Sequence, residues 1–307
     1  MPVNHRLTYR PISGPGELDL FCSIPYVQNA EIAADLAAGL RHPQWMWVAV
    51  DEQHRLLARV ALWSRPHRDA PDLMDIFDFA DGAADVGVEL LRTALAVVLP
   101  DGATRPEYIR FVPPDWHDDP IPVTQRMAVL ENLGARLLVE RLRFEWRGGS
   151  KVPRPDRLRF RSFSGADEAV ELMTRALEGT LDAHSLADLA RMPAGEVARK
   201  HFEDELARYP TPQEWWRVAT LPGGEPVGFV FPARNAYNPI IAYIGVLPEH
   251  RGHGYIDDVL AEGTRILAAE DVPRIRATTD VGNAPMARAF ARADFVNYQG
   301  EINMTWS

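Results

Sequence analysis

The stretch "VLPEHRGHGYIDDVL", residues 246–260, is where the sequence concentrates its chemistry. Arg251 is followed by Gly252 and Gly254, with His253 between them, and then by Tyr255. Apolar residues at helical spacing come next: Ile256, Val259, Leu260, Gly263 and Leu267. A glycine turn feeding a helix is a ready anion site, because unpaired N–H groups and the positive end of the helix dipole point the same way. Bare glycine lets the backbone approach a ligand closely. Asp257 and Asp258 fall in the first helical turn, where carboxylates complement the dipole. His250 and His253 have no third ligand nearby in sequence, so no metal site is expected. The single cysteine, Cys22, can form neither an intramolecular disulfide nor a cysteine metal cluster and reads as a small apolar residue.

The elements that must hold this turn can be read around it. After residue 157 the order is strand, two helices, three strands, a helix, a strand, a helix and a strand. The first strand is expected at 157–163 and the helices at 166–178 and 195–208. Strands follow near 215–221, 226–233 and 240–247, and "RIRATTD" is a further short one. Pro285 suits the first turn of a last helix whose buried stripe is Met286, Ala289, Phe290 and Ala293. A final strand is expected at 297–306. This order predicts an α/β (α+β) domain, a mixed sheet flanked by helices.

The same pattern occurs twice. "LTYRPISG" at 7–14 matches "LRFRSFSG" at 158–165, "WMWVAV" at 45–50 matches "WWRVAT" at 215–220, and "LENLGA" at 130–135 aligns with "FARADF" at 290–295. Each half then reaches a tryptophan, Trp146 or Trp306. Matched blocks in one order mean a duplicated domain. The join is "RGGSKVPRPDR", 147–157, rich in glycine, proline and charge, so the domains are expected at 1–150 and 157–307. The chain has 307 residues, 46% hydrophobic and 25% charged, with a net charge of −10. That balance disfavours nucleic-acid binding and favours cationic partners. The apolar run "ALAVVL" is far too short to span a membrane, and "MPVNHRLTYRP" lacks a secretory core, so a cytoplasmic protein without a membrane partner is expected.

The second half resembles the GNAT superfamily of acyl-CoA-dependent N-acyltransferases. "EHRGHGYIDDVL" is similar to that family's Arg/Gln-x-x-Gly-x-Gly/Ala turn, and "NAPMARAFARADF" to its later asparagine, helix and aromatic pair. The tandem layout with one working half resembles that of mycothiol synthase. The resemblance implies acetyl-CoA as co-substrate. Its pyrophosphate would lie on the backbone of Gly252, His253, Gly254, Tyr255 and Ile256, with charge from Arg251. Ile244, Val246, Asn283 and Phe290 complete the implied cofactor set, Val246 as a backbone oxyanion donor. Two departures stand out. Ile256 occupies a position where the family has Gly or Ala, and a β-branched residue resists positive φ. Hence either the helix starts one residue early or the cofactor sits differently. Phe290 stands where the family often has a tyrosine acid.

The implied reaction is acyl transfer to a primary amine of a small molecule or peptide, and an ammonium must lose a proton to react. Many relatives use a glutamate on the central strand, and "IIAYIGV" has none. The remaining candidates are Tyr243 and the loop "LEGTLDAH", with Glu178, Asp182 and His184, which falls where the family builds its acceptor wall. Spacing of four is expected to set Glu178 and Asp182 on one side of a helix end, ready for a cationic amine. The first half lacks the glycine turn. Asp75, Asp78, Asp81 and Asp85 stand there and are expected to repel a pyrophosphate, leaving that half a structural or substrate-shaping role. The competing readings are a non-catalytic acyl-CoA binder or sensor, and an acyltransferase with another donor. The chain is expected to be a monomer or homodimer.

Overall fold

The computed structural model describes residues 7–66, 68, 70–149 and 152–306. It divides into two compact units. One ends at Glu140 and takes in the residues from Glu301 onward, and the other is Arg141–Gly300. The stretch 147–157 thus falls inside the second unit rather than between the two; Ser150 and Lys151 of it lie outside the described residues.

The first unit runs β1 (Thr8–Pro11), α1 (Leu18–Phe21), α2 (Ile32–Ala37), β2 (Met46–Val50), β3 (Leu56–Trp63), β4 (Leu73–Phe79), α3 (Ala84–Val98), β5 (Glu107–Val112), α4 (Ile121–Asn132) and the start of β6 (Ala135–Arg147). β1 to β4 pair antiparallel in sequence order, and β4 pairs β5 in parallel. "MWVAV" and "LLARVALW" are apolar almost throughout because helices cover both faces of these strands. One core gathers Leu90, Leu91 and Ala94 of α3 against Val60, Leu62 and Phe77; the other holds Phe21 and Ile32 against Val48 and Ile76.

Here the expected repulsion by Asp75 and Asp78 is corrected. Both carboxylates point inward and are neutralised. Arg41 meets Asp75 at 2.5 Å and Asp35 at 2.9 Å, and these three residues are buried. Asp78, fully buried, is met by Arg59 at 2.8 Å, Arg126 at 2.8 Å and Arg110 at 3.2 Å. Only Asp81 and Asp85 are exposed, at the start of α3.

The second unit repeats the plan: β7 (Arg159–Arg161), α5 (Ala166–Ala176), α6 (Ala183–Leu189), α7 (Ala194–Asp204), β8 (Arg217–Thr220), β9 (Pro226–Arg234), β10 (Pro239–Val246), α8 (Tyr255–Ala268), β11 (Arg274–Asp280), α9 (Ala284–Arg292) and the start of β12 (Val296–Trp306). β7 to β10 pair antiparallel in order, β10 pairs β11 in parallel, and β11 pairs antiparallel with β6 from Arg141 to Arg147. The α/β (α+β) expectation holds, with a mostly antiparallel sheet in each unit. The helices differ from the sequence reading, and the one read as 195–208 ends at Asp204. The span read as 166–178 stops at Ala176, and α6 had not been expected. Gly179 takes a φ of 62°, which breaks the chain between the two helices.

A shared clamp marks the repeat. Arg10 grips Glu17 at 2.5 Å and the Ser13 amide donates to the same carboxylate at 2.6 Å; Arg161, Ser164 and Glu168 do so at 2.5 and 2.7 Å. No helix among the described residues is long and apolar enough to cross a membrane.

Candidate active site

After β10 the chain makes one 3-10 turn, Pro248–His250, and then the glycine turn. Gly252 has φ 81° and Gly254 φ 72°, a left-handed conformation that only glycine adopts without strain. The amides of His250 and Arg251 are taken by the Leu247 and Pro248 carbonyls, and that of Asp257 by Gly254. Between them, among the described residues, the amides of Gly252, His253, Gly254, Tyr255 and Ile256 donate to no protein acceptor. Five successive unpaired N–H groups at the start of a 14-residue helix form an anion cradle. Ile256 fits because the helix begins one residue ahead of it, at Tyr255. Its φ is helical and its side chain packs on the core beside Val259.

Two arginines shape the turn. Arg157, in the stretch read as a linker, donates to the His253 carbonyl at 3.0 Å and the Gly254 carbonyl at 2.9 Å, pairs with Asp258 and lies over the Tyr255 ring at 5.2 Å. In a trans peptide the C=O and the next N–H point opposite ways. Drawing those carbonyls to one side therefore turns the Gly254 and Tyr255 amides to the other. No sequence signal distinguished Arg157 from the other arginines of the join. Arg251 donates to Val246 O at 3.1 Å, Ala176 O at 2.8 Å and Glu178 O at 2.6 Å. Its guanidinium thus caps the C-terminal end of α5 and ties the glycine turn to the loop after that helix. Asp257 is held by Arg292 of α9 at 2.6 Å.

β10 and β11 are in register only at Ile240↔Arg276. Beyond that point the rest of β10 has no ladder with β11, so its edge is left for another partner. Ile244 and Val246, both half-buried, sit on this stretch. β10 also carries a bulge between Ile241 and Tyr243. A Cβ on Gly228 of β9 would stand 2.3 Å from the Gly245 carbonyl oxygen, so that close approach requires glycine.

Tyr243 packs among Phe229 at 5.4 Å and His201 at 4.8 Å between ring centroids. Burial raises its phenol pKa, with Asp182 adding to the effect and Arg251 opposing it. Asp182 caps α6 by accepting the Ser185 amide at 2.7 Å. Burial disfavours its charge, but that amide, Arg141 and His184 outweigh it, and its pKa is lowered. Asp280, the last residue of β11, was not foreseen. It is buried, accepts the Ala183 amide at 2.7 Å and pairs with Arg141 at 2.9 Å. Burial raises its pKa, with Asp182 adding to the effect.

Glu178 is exposed in the turn after α5. The expectation that Glu178 and Asp182 share one side of a helix end is therefore corrected, since Gly179 separates them and Asp182 belongs to the next helix. Asn283 caps α9, its side chain accepting the Met286 amide at 3.3 Å. Phe290 is 1% exposed and stacks on Phe144 at 5.1 Å, a core residue with its ring sealed from solvent.

The comparisons with known proteins agree with this geometry. Residues 183–295 match the acetyltransferase (GNAT) family model. No curated protein matches the chain. Among solved structures, a GCN5-related N-acetyltransferase from Sphaerobacter thermophilus is similar at 16% identity, with 97% of this chain and 94% of that one covered and a TM-score of 0.59. A tandem GNAT protein from the clavulanic acid biosynthesis pathway is similar at 16% identity, with 98% of each chain covered and a TM-score of 0.52. A fungal multi-domain GH3 β-N-acetylglucosaminidase with a GCN5-related glucosamine N-acetyltransferase region is similar at 15% identity and a TM-score of 0.58; 99% of this chain covers 38% of that one. Residues 183–295, which hold the glycine turn and the parted strands, are thus similar to the GNAT acetyltransferase family.

Proposed function

We propose that the chain is an acetyl-CoA-dependent N-acetyltransferase that acylates a primary amine of a small molecule or peptide, with the reaction centred in the second unit. The observation that carries this reading is the run of unpaired amides from Gly252 to Ile256 at the start of α8. Those amides would hold the cofactor's pyrophosphate, and the unpaired edge of β10 near Ile244 and Val246 would take its amide-bearing arm. Acetyl-CoA would supply the acetyl group as a thioester. The amine nitrogen forms the new C–N bond, the C–S bond breaks, and the proton shed by the ammonium leaves through a carboxylate. Asp182 would take that proton, and Tyr243 and the exposed Glu178 are the further candidates. Asp182 and Glu178 also favour a cationic acceptor. Arg251 serves this site by fixing the turn. We place the protein in the cytoplasm, as a monomer or homodimer, with no nucleic-acid or membrane partner.

A second reading, a non-catalytic acyl-CoA binder, is favoured by Phe290, whose buried ring offers no acid to a leaving thiolate. A thiolate is a good leaving group, which favours turnover without that acid. Calorimetric titration with acetyl-CoA tests the cradle, and thiol release on adding primary amines separates enzyme from binder. Binding without thiol release across amines would support the second reading; no binding would overturn both.

A further inference from the structure

Two carboxylates, Asp257 and Asp258, stand in the first turn of α8, beside amides suited to an anion. Their side chains are held differently. Asp257 is gripped by Arg292 of α9 at 2.6 Å, and among the described residues neither of those two side chains bonds to the glycine turn. Asp258 is only 12% exposed and pairs with Arg157. Arg157 in turn donates to the carbonyls of His253 and Gly254, at 3.0 and 2.9 Å, and its guanidinium lies 5.2 Å from the centre of the Tyr255 ring. Asp258 is thus joined to the cradle's backbone through one arginine, and Asp257 is not.

The turn needs that hold. Gly254 lets the backbone approach a ligand, but the same freedom lets the peptide between His253 and Gly254 flip at little cost. A flipped peptide would set a carbonyl oxygen where a phosphate belongs. Arg157, bonded to two successive carbonyls, keeps both peptides in the orientation that offers their N–H groups. A loop already held in its bound form gives up less freedom on binding, which raises affinity. Charge alone gives the opposite answer for Asp258, since a carboxylate beside a pyrophosphate repels it. We infer that Arg157 and Asp258 are positioning residues for acetyl-CoA, and that Asp258, though negative, strengthens the binding of this anion through its hold on Arg157. This rests on the proposed acetyl-CoA site and assigns it two residues that need not touch the ligand.

The test is calorimetric titration of the full chain and its variants with acetyl-CoA. Arg157→Ala should raise the dissociation constant about tenfold, equivalent to ~1.4 kcal/mol. Its melting temperature should stay near that of the parent, since Arg157 is 47% exposed. Arg157→Lys should bind nearly as weakly as Arg157→Ala, because lysine keeps the charge but lacks the planar fork that reaches two carbonyls and a carboxylate. The two aspartates supply a test of sign. Asp258→Asn replaces a charge-assisted bond to Arg157 with a neutral one and should raise the dissociation constant about threefold. Asp257→Asn removes the same charge without touching the turn, so its dissociation constant should not rise. Parent-like affinity in Arg157→Lys would show that charge alone acts and overturns the inference. Unchanged or tighter binding in Asp258→Asn overturns it as well, and so does an equal weakening by both aspartate variants. Each of these outcomes leaves the acetyl-CoA site standing, whereas failure of acetyl-CoA to bind the parent removes the proposed function and this inference with it.

Discussion

The two units part their parallel strands at corresponding places and treat the gap in opposite ways. In the first, β4 and β5 are in register only at Leu73↔Glu107 and Met74↔Tyr108. Beyond that, the Tyr26 hydroxyl accepts the Phe111 amide at 2.9 Å, and Arg110 of β5 reaches Asp78 of β4 while lying over the Tyr26 ring at 4.6 Å. Side chains of the same chain thus take up backbone and charge at the parting. In the second unit the corresponding edge of β10 is unclaimed by β11, and the turn after it keeps its amides unpaired. The turns differ as well. The first unit passes from Phe79 to Ala84 through residues 80–83, whereas the second uses 247–254. A repeated scaffold can therefore keep its parted strands where internal groups satisfy the exposed edge.

The largest expected effect tests the filled parting. Asp78→Asn leaves Arg59, Arg110 and Arg126 without their common counter-charge. Because removing one partner strands buried charge, the first unit should lose about 3–5 kcal/mol in urea unfolding. Asp182→Asn in the second unit keeps an acceptor for the Ser185 amide, so it should cost less than about 0.5 kcal/mol while lowering turnover of the amine. Equal losses of stability would erase the proposed contrast between a packed site and an open one.

Next comes the open parting. Gly254→Val must hold a β-branched residue at positive φ, at a cost of about 1–3 kcal/mol, and places a side chain in the cradle. Its acetyl-CoA dissociation constant should rise by more than about tenfold, that is ~1.4 kcal/mol of lost binding. Titration of the parent should give one site per chain, and two comparable sites would mean that the first parting opens in solution. Arg251→Gln sharpens the same point, because Arg251 joins the turn to the loop after α5. Hydrogen exchange at residues 177–182 should slow when acetyl-CoA binds the parent and should not slow in the variant. Protection in both would show that the loop responds by another route.

The sequence revealed those parts of the molecule whose cause is local. The glycine turn, the amphipathic α8 with Val259, Leu260 and Leu267, and the strand order were all legible, because φ preference and apolar periodicity act over a few residues. What was not legible depends on distant pairings. Asp75 and Asp78 read as exposed like charges, because nothing in the sequence indicated that Arg41 and Arg59 would reach them. Asp280 and Arg157 gain their importance from partners brought close by the fold, Ala183 in one case and the His253 carbonyl in the other. Phe290 could be aligned with a family tyrosine, but its stacking on Phe144 could not be read. Phe290→Tyr should accordingly cost about 1–3 kcal/mol for a hydroxyl without a buried partner. A stable variant with a higher rate would instead place that edge of the ring at the cleft.

The smallest effect tests what the two units share. Glu17 is held to a pKa of about 2 chiefly by its hydrogen bond from Arg10, then by the Ser13 amide. Glu168 is held to about 2 chiefly by Arg161, with the Ser164 amide and hydroxyl helping against burial. A carboxylate whose folded pKa lies below its unfolded value adds stability above the unfolded pKa and loses it as pH falls through the folded one. Both clamps should thus contribute fully at neutral pH and fade between about pH 4.5 and 2. Arg161 is 43% exposed and Arg10 32%, so solvent screening cuts each contribution to about 1 kcal/mol. Glu17→Gln and Glu168→Gln should each lower stability at pH 7 by that amount and flatten the acid limb of the stability curve, the first in the first unit and the second in the second. An effect confined to one of them would show that the repeated clamp is kept by geometry in both halves but bears on stability in only one.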